Sequence, residues 1–218
     1  MVIFHFCYDL EYFKIYNFHI SSNPFFLYFR IVIVSLFLFV VGVSLTLSHK
    51  SAINWQKVKK RAITLFSVAF AISVVTYFIF PYSWVYFGII HFIALASLLG
   101  LFFIDKKALA LFVALAILLL YFLGFLSMSP IFKAVAPLLH LPVHFTQDLV
   151  PLIPWFSVVL LGIALSDLLL SFCQKKLIQT FTQQLKIVNF LGKHALSIYL
   201  VHQIVLFALF FIILSIIS

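Results

Sequence analysis

Long apolar runs without any Asp, Glu, Lys or Arg dominate the pattern of hydrophobic and polar positions along this chain. A helix that crosses a membrane needs roughly 20 mainly apolar residues, because each backbone N–H and C=O must find its partner within the segment. The runs are continuously apolar instead of alternating with a period of two, which favours helices over strands. We therefore predict six transmembrane helices, at residues 31–48, 62–80, 82–104, 108–129, 149–166 and 195–218.

The N-terminal segment MVIFHFCYDL breaks this pattern, since the eight residues before Asp9 are too few to span a bilayer. Either the segment lies in the membrane interface, or the natural chain begins further upstream. A signal peptide fits poorly, because no basic residue precedes the apolar run and no small-residue cleavage site follows it. We favour a truncated first span. The predicted fold class is thus an all-α polytopic transmembrane helix bundle, a single domain over residues 1–218, with six full spans and this partial one.

The composition agrees with an integral membrane protein. Hydrophobic residues make up 66% of the chain, charged residues make up 9%, and the mean hydropathy is +1.26. These values exclude an ordinary soluble globular domain, in which about a quarter of the residues are charged.

The basic residues are concentrated in alternate loops, and this placement gives an orientation. Eleven of the fourteen Lys and Arg residues fall on one side, which the positive-inside rule assigns to the cytoplasm. Their loops are residues 50–61, 105–107 and 174–194. The other loops and the C-terminus are then predicted to face outward. The net charge of +9 follows from this asymmetry and favours anionic lipid as a partner over nucleic acid, for which the sequence has no motif.

One outward segment, residues 127–148, is too apolar to remain in water. Pro130, Pro137 and Pro142 bracket the stretches IFKAVA and LLHL, which are also too short to span a membrane. We therefore predict a short interfacial helix in this loop, covering the polar cavity described next.

A few polar residues remain inside the apolar segments, where each ionisable group costs about 2.5–3.5 kcal/mol. His5 and Asp9 stand at positions i and i+4 and so share one helical face. His91 lies inside the third predicted span, and His202 lies inside the last one and is followed by Gln203. Histidine with aspartate is typical of general-base chemistry near neutral pH, so we predict that these histidines and Asp9 line one buried cavity.

Each of these residues also has a structural interpretation. Asp148 opens the stretch DLVPLIPWF and, with Pro151 in the first turn, fits a helix N-cap. His202 and Gln203 fit hydrogen-bonding partners between helices, and a single neutral histidine such as His91 is tolerable in a membrane. The sequence has no C-x-x-C motif, paired metal-ligand spacing or glycine-rich phosphate loop, so we expect no metal site.

Five segments carry a family resemblance that covers nearly the whole chain. They are MVIFHFCYDL, LFLFVVGVSLTLS followed by KKRA, FGIIHFIALASLL, DLVPLIPWFSVVLLGIALSD and FLGKHALSIYLVHQ. In this order they resemble the bacterial DUF1624 family of membrane proteins. That family is similar to the catalytic membrane domain of heparan-α-glucosaminide N-acetyltransferase. Its members usually carry an Asp and an Arg-Gly pair just before the segment that here starts at Met1, which supports a truncated first span.

The resemblance implies a reaction and a location. The lysosomal enzyme moves an acetyl group from cytosolic acetyl-CoA to a glucosamine amine on the other side of the membrane. By analogy, this chain would be a multi-pass protein of the bacterial inner membrane. Acetyl-CoA or another acyl-CoA would be its donor substrate, and a saccharide or amino sugar of the cell envelope would be its acceptor.

The resemblance also implies a role for each candidate residue. His5 and Asp9, with His91 beside them, would activate the acceptor on the outer side, while His202 and Gln203 would contact the thioester. His19 is the nearest match to a functional histidine in the first external loop of the lysosomal relative. Basic residues would hold the phosphates of CoA by charge, namely Lys57, Lys59, Lys60, Arg61, Lys175 and Lys176.

Two other functional classes stay open. A non-catalytic membrane scaffold or assembly protein would use the polar residues to tie helices together. A carrier of small solutes would use His91 and His202 to line a pathway. Ligand binding discriminates these classes, because acetyl-CoA added from the cytosolic side is expected to stabilise an acyltransferase alone.

Overall fold

The computed structural model describes residues 1–49, 52–142, 146–173 and 186–217, and this described part is helical. Its helices are α1 (Val2–Tyr12), α2 (Pro24–Ser48), α3 (Trp55–Ile79), α4 (Ile89–Gly100), α5 (Lys107–Phe122), α6 (Ser129–Leu139), α7 (Leu152–Ala164), α8 (Ser166–Cys173), α9 (Lys186–Lys193) and α10 (Ala195–Ile217). A single 3₁₀ turn among the described residues, Leu101–Phe103, follows α4. The predicted all-α class is confirmed.

Among the described residues, three helices are long and apolar enough to cross a membrane. They are α2, α3 and the stretch Ser197–Ile216 of α10. The helices α7 and α8 form a pair bent by 50°, which makes a fourth, broken span if the pair is counted as one. The predicted spans 31–48, 62–80 and 195–218 overlap the three long helices, although α2 and α3 begin seven residues earlier than predicted. The chain is an integral membrane protein.

Two predicted spans, 82–104 and 108–129, are shorter as helices than as apolar runs. The helix α4 has 12 residues, because the chain after Pro81 stays irregular until Gly88 and the helix begins only at Ile89. The helix α5 has 16 residues. It ends just before Gly124, whose φ of +79° is a left-handed conformation that terminates helices. Apolar side chains outside the helices extend both runs.

The described chain divides into two compact units, of which the first consists of Met1–Val34 and Leu170–Ser218. In this unit α1 packs against α10. Aromatic rings hold the contact, with centroids 5.5 Å apart between Phe6 and Phe210 and 5.1 Å apart between Tyr12 and Phe207. This packing places the face of α1 that carries Asp9 against α10.

The second unit, Ser35–Leu169, contains close contacts between helix backbones. A Cβ added to Gly42 of α2 would lie 2.1 Å from the carbonyl oxygen of Val159 in α7, and one on Gly162 would lie 2.1 Å from that of Phe39. Only glycine fits at either position. Such small residues let membrane helices approach closely, which strengthens their van der Waals contact.

The outer loop predicted to contain a short helix does contain one. The helix α6 begins with Ser129 and Pro130, and proline is favoured in a first helical turn. It ends at His140, which has a left-handed φ of 50°. The ring of Phe132 lies 5.6 Å from that of Tyr86 and 6.1 Å from that of Phe87, so α6 packs on the loop before α4.

Candidate functional site

The carboxylate of Asp9 is the most unusual group in the first unit, because its side chain is completely buried. One of its oxygens, Oδ1, accepts a hydrogen bond of 2.9 Å from Nε2 of Gln203 in α10. The packing of α1 on α10 thus joins two predicted site residues that stand 194 positions apart. Burial of a carboxylate is costly unless it is paired, so the amide contact helps to hold it in place.

His202 lies beside this pair and has a defined tautomer. Its Nδ1 is 3.1 Å from the carbonyl oxygen of Ile198 and 2.7 Å from that of Tyr199. Carbonyl oxygens only accept hydrogen bonds, so Nδ1 carries the proton and donates it. In the neutral ring the other nitrogen, Nε2, then presents a lone pair. An imidazole in this state can accept a proton from a substrate.

His5 completes the cluster of α1 and α10. Its ring centroid lies 4.9 Å from that of His202, with the planes inclined by 63° in an edge-to-face arrangement. We call His5, Asp9, His202 and Gln203 the α1–α10 cluster. The structure therefore brings together four of the residues that sequence analysis selected.

Three buried atoms of the α1–α10 cluster have no hydrogen-bond partner among the described residues: Asp9 Oδ2, His202 Nε2 and Gln203 Oε1. Native proteins leave few buried polar atoms unpaired, because each costs about 1–3 kcal/mol. Such a set fits a site at which a ligand or a buried water supplies the missing hydrogen bonds.

His91 belongs to the second unit, and both of its ring nitrogens are engaged. Its Nδ1 accepts a 3.3 Å hydrogen bond from the backbone N–H of Gly88. Its Nε2 lies 2.9 Å from the hydroxyl oxygen of Ser73, which itself donates to the carbonyl of Val85. Nε2 is therefore the protonated nitrogen, and it donates to Ser73. The ring has no free lone pair and ties the loop before α4 to α3.

Asp148 caps a helix, but a different one from the helix that follows it in sequence. Its Oδ2 accepts a 2.7 Å hydrogen bond from the backbone N–H of Ile89, the first residue of α4. Gly88 permits this approach, since a Cβ there would lie 2.4 Å from the same carboxylate oxygen. Sequence analysis missed Gly88, and a glycine directly before an apolar helical run was the available signal.

The loop that Asp148 belongs to is bound to the loop before α4 at several points. The backbone N–H of Val150 donates to the carbonyl of Phe87, and that of Gln147 donates to the carbonyl of Ser83. An isolated parallel bridge links Phe87 with Leu149. We call these two paired segments, residues 83–88 and 146–150, the loop clasp. It positions the N-terminus of α4.

The basic residues proposed for CoA phosphates lie in the first turns of α3. Lys57, Lys59 and Lys60 are exposed and Arg61 is half-buried. Lys59 and Lys60 share one open face of α3 with Gln56, Ile63 and Thr64. The helix is capped by Asn54, whose side-chain oxygen accepts the N–H of Lys57 at 3.0 Å. The other two predicted phosphate ligands, Lys175 and Lys176, lie outside the described residues.

His19 and Glu11 organise the turn between α1 and α2. His19 is exposed, with a left-handed φ of 53°, and its carbonyl accepts the backbone N–H groups of Ser22 and Asn23. The carboxylate of Glu11 accepts the backbone N–H of Ile20 at 3.0 Å. Glu11 was not selected from the sequence, where it is only one polar residue near a helix end.

The described residues contain no group of three or more His, Cys, Asp or Glu side chains arranged to hold a metal ion. The side chains of the α1–α10 cluster provide a carboxylate, an amide and two imidazoles, which can bind polar groups and transfer protons.

Comparison with known proteins gives one match. The model of the family described as heparan-alpha-glucosaminide N-acetyltransferase, catalytic, matches residues 1–204, which include the α1–α10 cluster and the loop clasp. No curated protein and no solved structure matches the chain. On the extent of this match, the chain belongs to the family of heparan-α-glucosaminide N-acetyltransferase catalytic domains.

Proposed function

We propose that this chain is an acetyltransferase of the bacterial inner membrane that moves an acetyl group from cytosolic acyl-CoA to a sugar or amino sugar of the cell envelope. Membership of the family supports acetyl transfer in a membrane. One observation supports assigning this activity to particular residues. Within the matched range, a buried carboxylate, an amide and two imidazoles are in contact in a chain of which only 9% of residues are charged.

The chemistry requires a base and a leaving group. The nitrogen or oxygen of the acceptor bonds to the carbonyl carbon of the thioester, the carbon–sulfur bond breaks, and CoA leaves as a thiolate. The acceptor also loses a proton, and His202 takes it at Nε2 in this proposal. Asp9 then stabilises the charged ring, while His5 holds its orientation. The proton passes on to the thiolate or to solvent.

The donor is held by charge at the cytoplasmic side. Lys57, Lys59, Lys60 and Arg61, together with Lys175 and Lys176, bind the phosphates of acyl-CoA in this proposal. Exposed lysines at the start of α3 are free to rotate toward an anionic ligand. Lys59 and Lys60 lie on the same open face of this helix, so both charges can approach one ligand.

The membrane topology belongs to the same proposal. Six spans and a partial first one form one domain, with the basic loops in the cytoplasm and the C-terminus outward. The bent pair α7 and α8 counts as one span, and α4 and α5, with their flanking apolar residues, count as two more. His91 is a structural residue that ties the loop clasp to α3 in this arrangement, because both its nitrogens are occupied.

Labelled acetyl-CoA tests the proposal directly. The full chain is purified in detergent and incubated with the donor and with glucosamine or a neutral hexose, and transfer of label is measured. We expect transfer that falls by about 10²- to 10⁴-fold in His202→Ala, since general-base catalysis is worth that much. The control is His140→Asn, because His140 is exposed and asparagine tolerates its left-handed backbone.

The outcome also separates the other functional classes. A chain that binds no acyl-CoA and transfers no label is not an acetyltransferase. A scaffold is then indicated if His202→Ala lowers the melting temperature, because removal of a buried partner destabilises a structural network. A carrier is indicated if vesicles that contain the chain take up solute.

A further inference from the structure

The three unpaired buried atoms of the α1–α10 cluster share one chemical property. Asp9 Oδ2 is a carboxylate oxygen. Gln203 Oε1 is an amide oxygen, and the amide NH₂ of the same side chain is used on Asp9 Oδ1. His202 Nε2 is the unprotonated nitrogen, because Nδ1 donates to backbone carbonyls. All three are hydrogen-bond acceptors.

The positions of these acceptors are linked. Oδ2 and Oε1 belong to the carboxylate and the amide that the 2.9 Å bond joins, so they flank a single contact. The ring of His202 lies against His5, which stands four residues before Asp9 on the same face of α1. Asp9 is completely buried, so bulk solvent does not supply hydrogen bonds to this carboxylate.

Three unpaired acceptors side by side favour a ligand that presents hydrogen-bond donors to them. A thioester and the phosphates of CoA present acceptor oxygens to a protein, and these would repel the lone pairs of the cluster. A primary amine, or its ammonium form, presents two or three donors and attracts a carboxylate. A hydroxyl presents one donor.

We propose that Asp9, His202 and Gln203 form the subsite that binds the primary amine of the acetyl acceptor, and that other residues bind the thioester and bring its acetyl carbon to this nitrogen. This inference rests on the proposed function and revises the role that the family resemblance implies for His202 and Gln203. Asp9 Oδ2 and Gln203 Oε1 hold the amine by its N–H groups. His202 Nε2 takes the proton that the nitrogen loses when it bonds to the acetyl carbon.

The same geometry favours release of the product. Acetylation converts an amine with two or three donors into an amide with one N–H and a carbonyl acceptor. The amide is also uncharged at any pH at which the amine is protonated. A subsite lined by these acceptors therefore binds the product more weakly than the substrate. Acetylation itself thus favours release of the product.

Thermal stabilisation tests the subsite without any need for turnover. The full chain in nanodiscs is heated with glucosamine, with N-acetylglucosamine and with glucose, and the melting temperature is measured. We expect the wild type to be stabilised most by glucosamine. Equal stabilisation by the three sugars, or a preference for the acetylated one, would overturn the inference.

The variant Asp9→Asn isolates the acceptor atom at issue. Asparagine keeps Oδ1 for Gln203 but presents an NH₂ group where Oδ2 stood, so the contact between α1 and α10 is retained while an acceptor becomes a donor. We expect the preference for glucosamine to disappear. In the transfer assay, KM for the amine rises on the order of tenfold, because a charge-assisted hydrogen bond is lost, and KM for acetyl-CoA does not change.

A double variant provides the rescue. Asp9→Asn combined with Gln203→Glu reverses the direction of the side-chain bond and returns one carboxylate and one amide oxygen to the subsite. We expect it to recover part of the preference for amines.

If Asp9→Asn instead raises KM for acetyl-CoA alone, the cluster binds the thioester and the inference fails, although acetyl transfer itself stands. If the wild type transfers no acetyl group but still prefers glucosamine in melting, the proposed function fails and the amine subsite stands.

Discussion

Single hydrogen bonds decide which histidines of this chain are available for chemistry. Two carbonyls of α10 face Nδ1 of His202 and leave Nε2 as a lone pair. Gly88 and Ser73 occupy both nitrogens of His91. The two residues look equivalent in sequence, as isolated histidines in apolar runs. Their difference arises from partners that a residue pattern does not specify.

Sequence analysis also could not predict which side chains far apart in the sequence form hydrogen bonds with each other. Helical periodicity correctly placed His5 and Asp9 on one face. It gave no means to assign Gln203 as the partner of Asp9. Periodicity shows which residues share a helix face, but it does not show which other helix packs against that face. For the same reason Asp148 was recognised as a cap, while its helix was assigned as the following one instead of α4.

The hydroxyl of Ser73 gives a residue-scale prediction. Its removal in Ser73→Ala leaves the carbonyl of Val85 and the Nε2–H of His91 without this partner. We expect the free energy of unfolding to fall by about 1–3 kcal/mol, the usual cost of unpaired buried polar groups. Thermal melting in detergent measures it. Ser215→Ala, at an exposed hydroxyl that bonds its own helix, is the control and is expected to melt like the wild type.

At the scale of elements, the apolar pattern located the long helices but not all of their limits. The helices α2, α3 and α10 overlap predicted spans because their apolar runs contain no strong helix-breaking residue. The limits of α4 and α5 differ because Pro81, Gly88 and Gly124 interrupt the backbone while the side chains remain apolar. Hydropathy reports the environment of side chains, whereas helix ends depend on backbone conformation.

The contact of α2 with α7 gives an element-scale prediction. A Cβ at Gly42 would clash with the carbonyl oxygen of Val159, which belongs to the backbone and cannot rotate away. We expect Gly42→Ala to force the helices apart and to destabilise the protein by about 1–3 kcal/mol. Gly192→Ala is the matched control, since no atom lies within 4 Å of the added Cβ. If both variants melt alike, the two helices are not in close contact.

The loop clasp gives a second prediction at this scale. Asp148→Ala removes the carboxylate that accepts the N–H of Ile89 at the start of α4. We expect a loss of stability of about 0.5–2 kcal/mol, as for other helix caps. Hydrogen exchange locates the effect, with faster exchange expected for the first turn of α4. Unchanged exchange there would show that another group caps the helix.

At the scale of the whole molecule, the order of five sequence segments indicated similarity to the catalytic domain of heparan-α-glucosaminide N-acetyltransferase, and the match over residues 1–204 confirms it. Charge asymmetry predicted an orientation that the helices alone do not establish. An orientation depends on the membrane and on how the chain is inserted into it, so it requires its own measurement.

Labelling of single cysteines tests the orientation. In a chain with Cys7→Ala and Cys173→Ala, one new cysteine is introduced at a time, as Lys133→Cys in α6 or Asp105→Cys before α5. Both positions are exposed on the protein. We expect a membrane-impermeant reagent added to intact cells to label position 133 and not position 105. The reverse pattern would place the basic loops outside and remove the cytosolic donor side.

The most direct test of the central claim compares two histidines in one experiment. His202→Ala and His91→Ala are made separately in the full chain, and melting temperature and acetyl transfer per folded molecule are measured for each. A catalytic α1–α10 cluster and a structural His91 predict that His202→Ala loses transfer with its melting temperature nearly retained, whereas His91→Ala melts lower and retains transfer at temperatures where it is folded. Retained transfer in His202→Ala, or loss of transfer in a His91→Ala protein of unchanged stability, would contradict it.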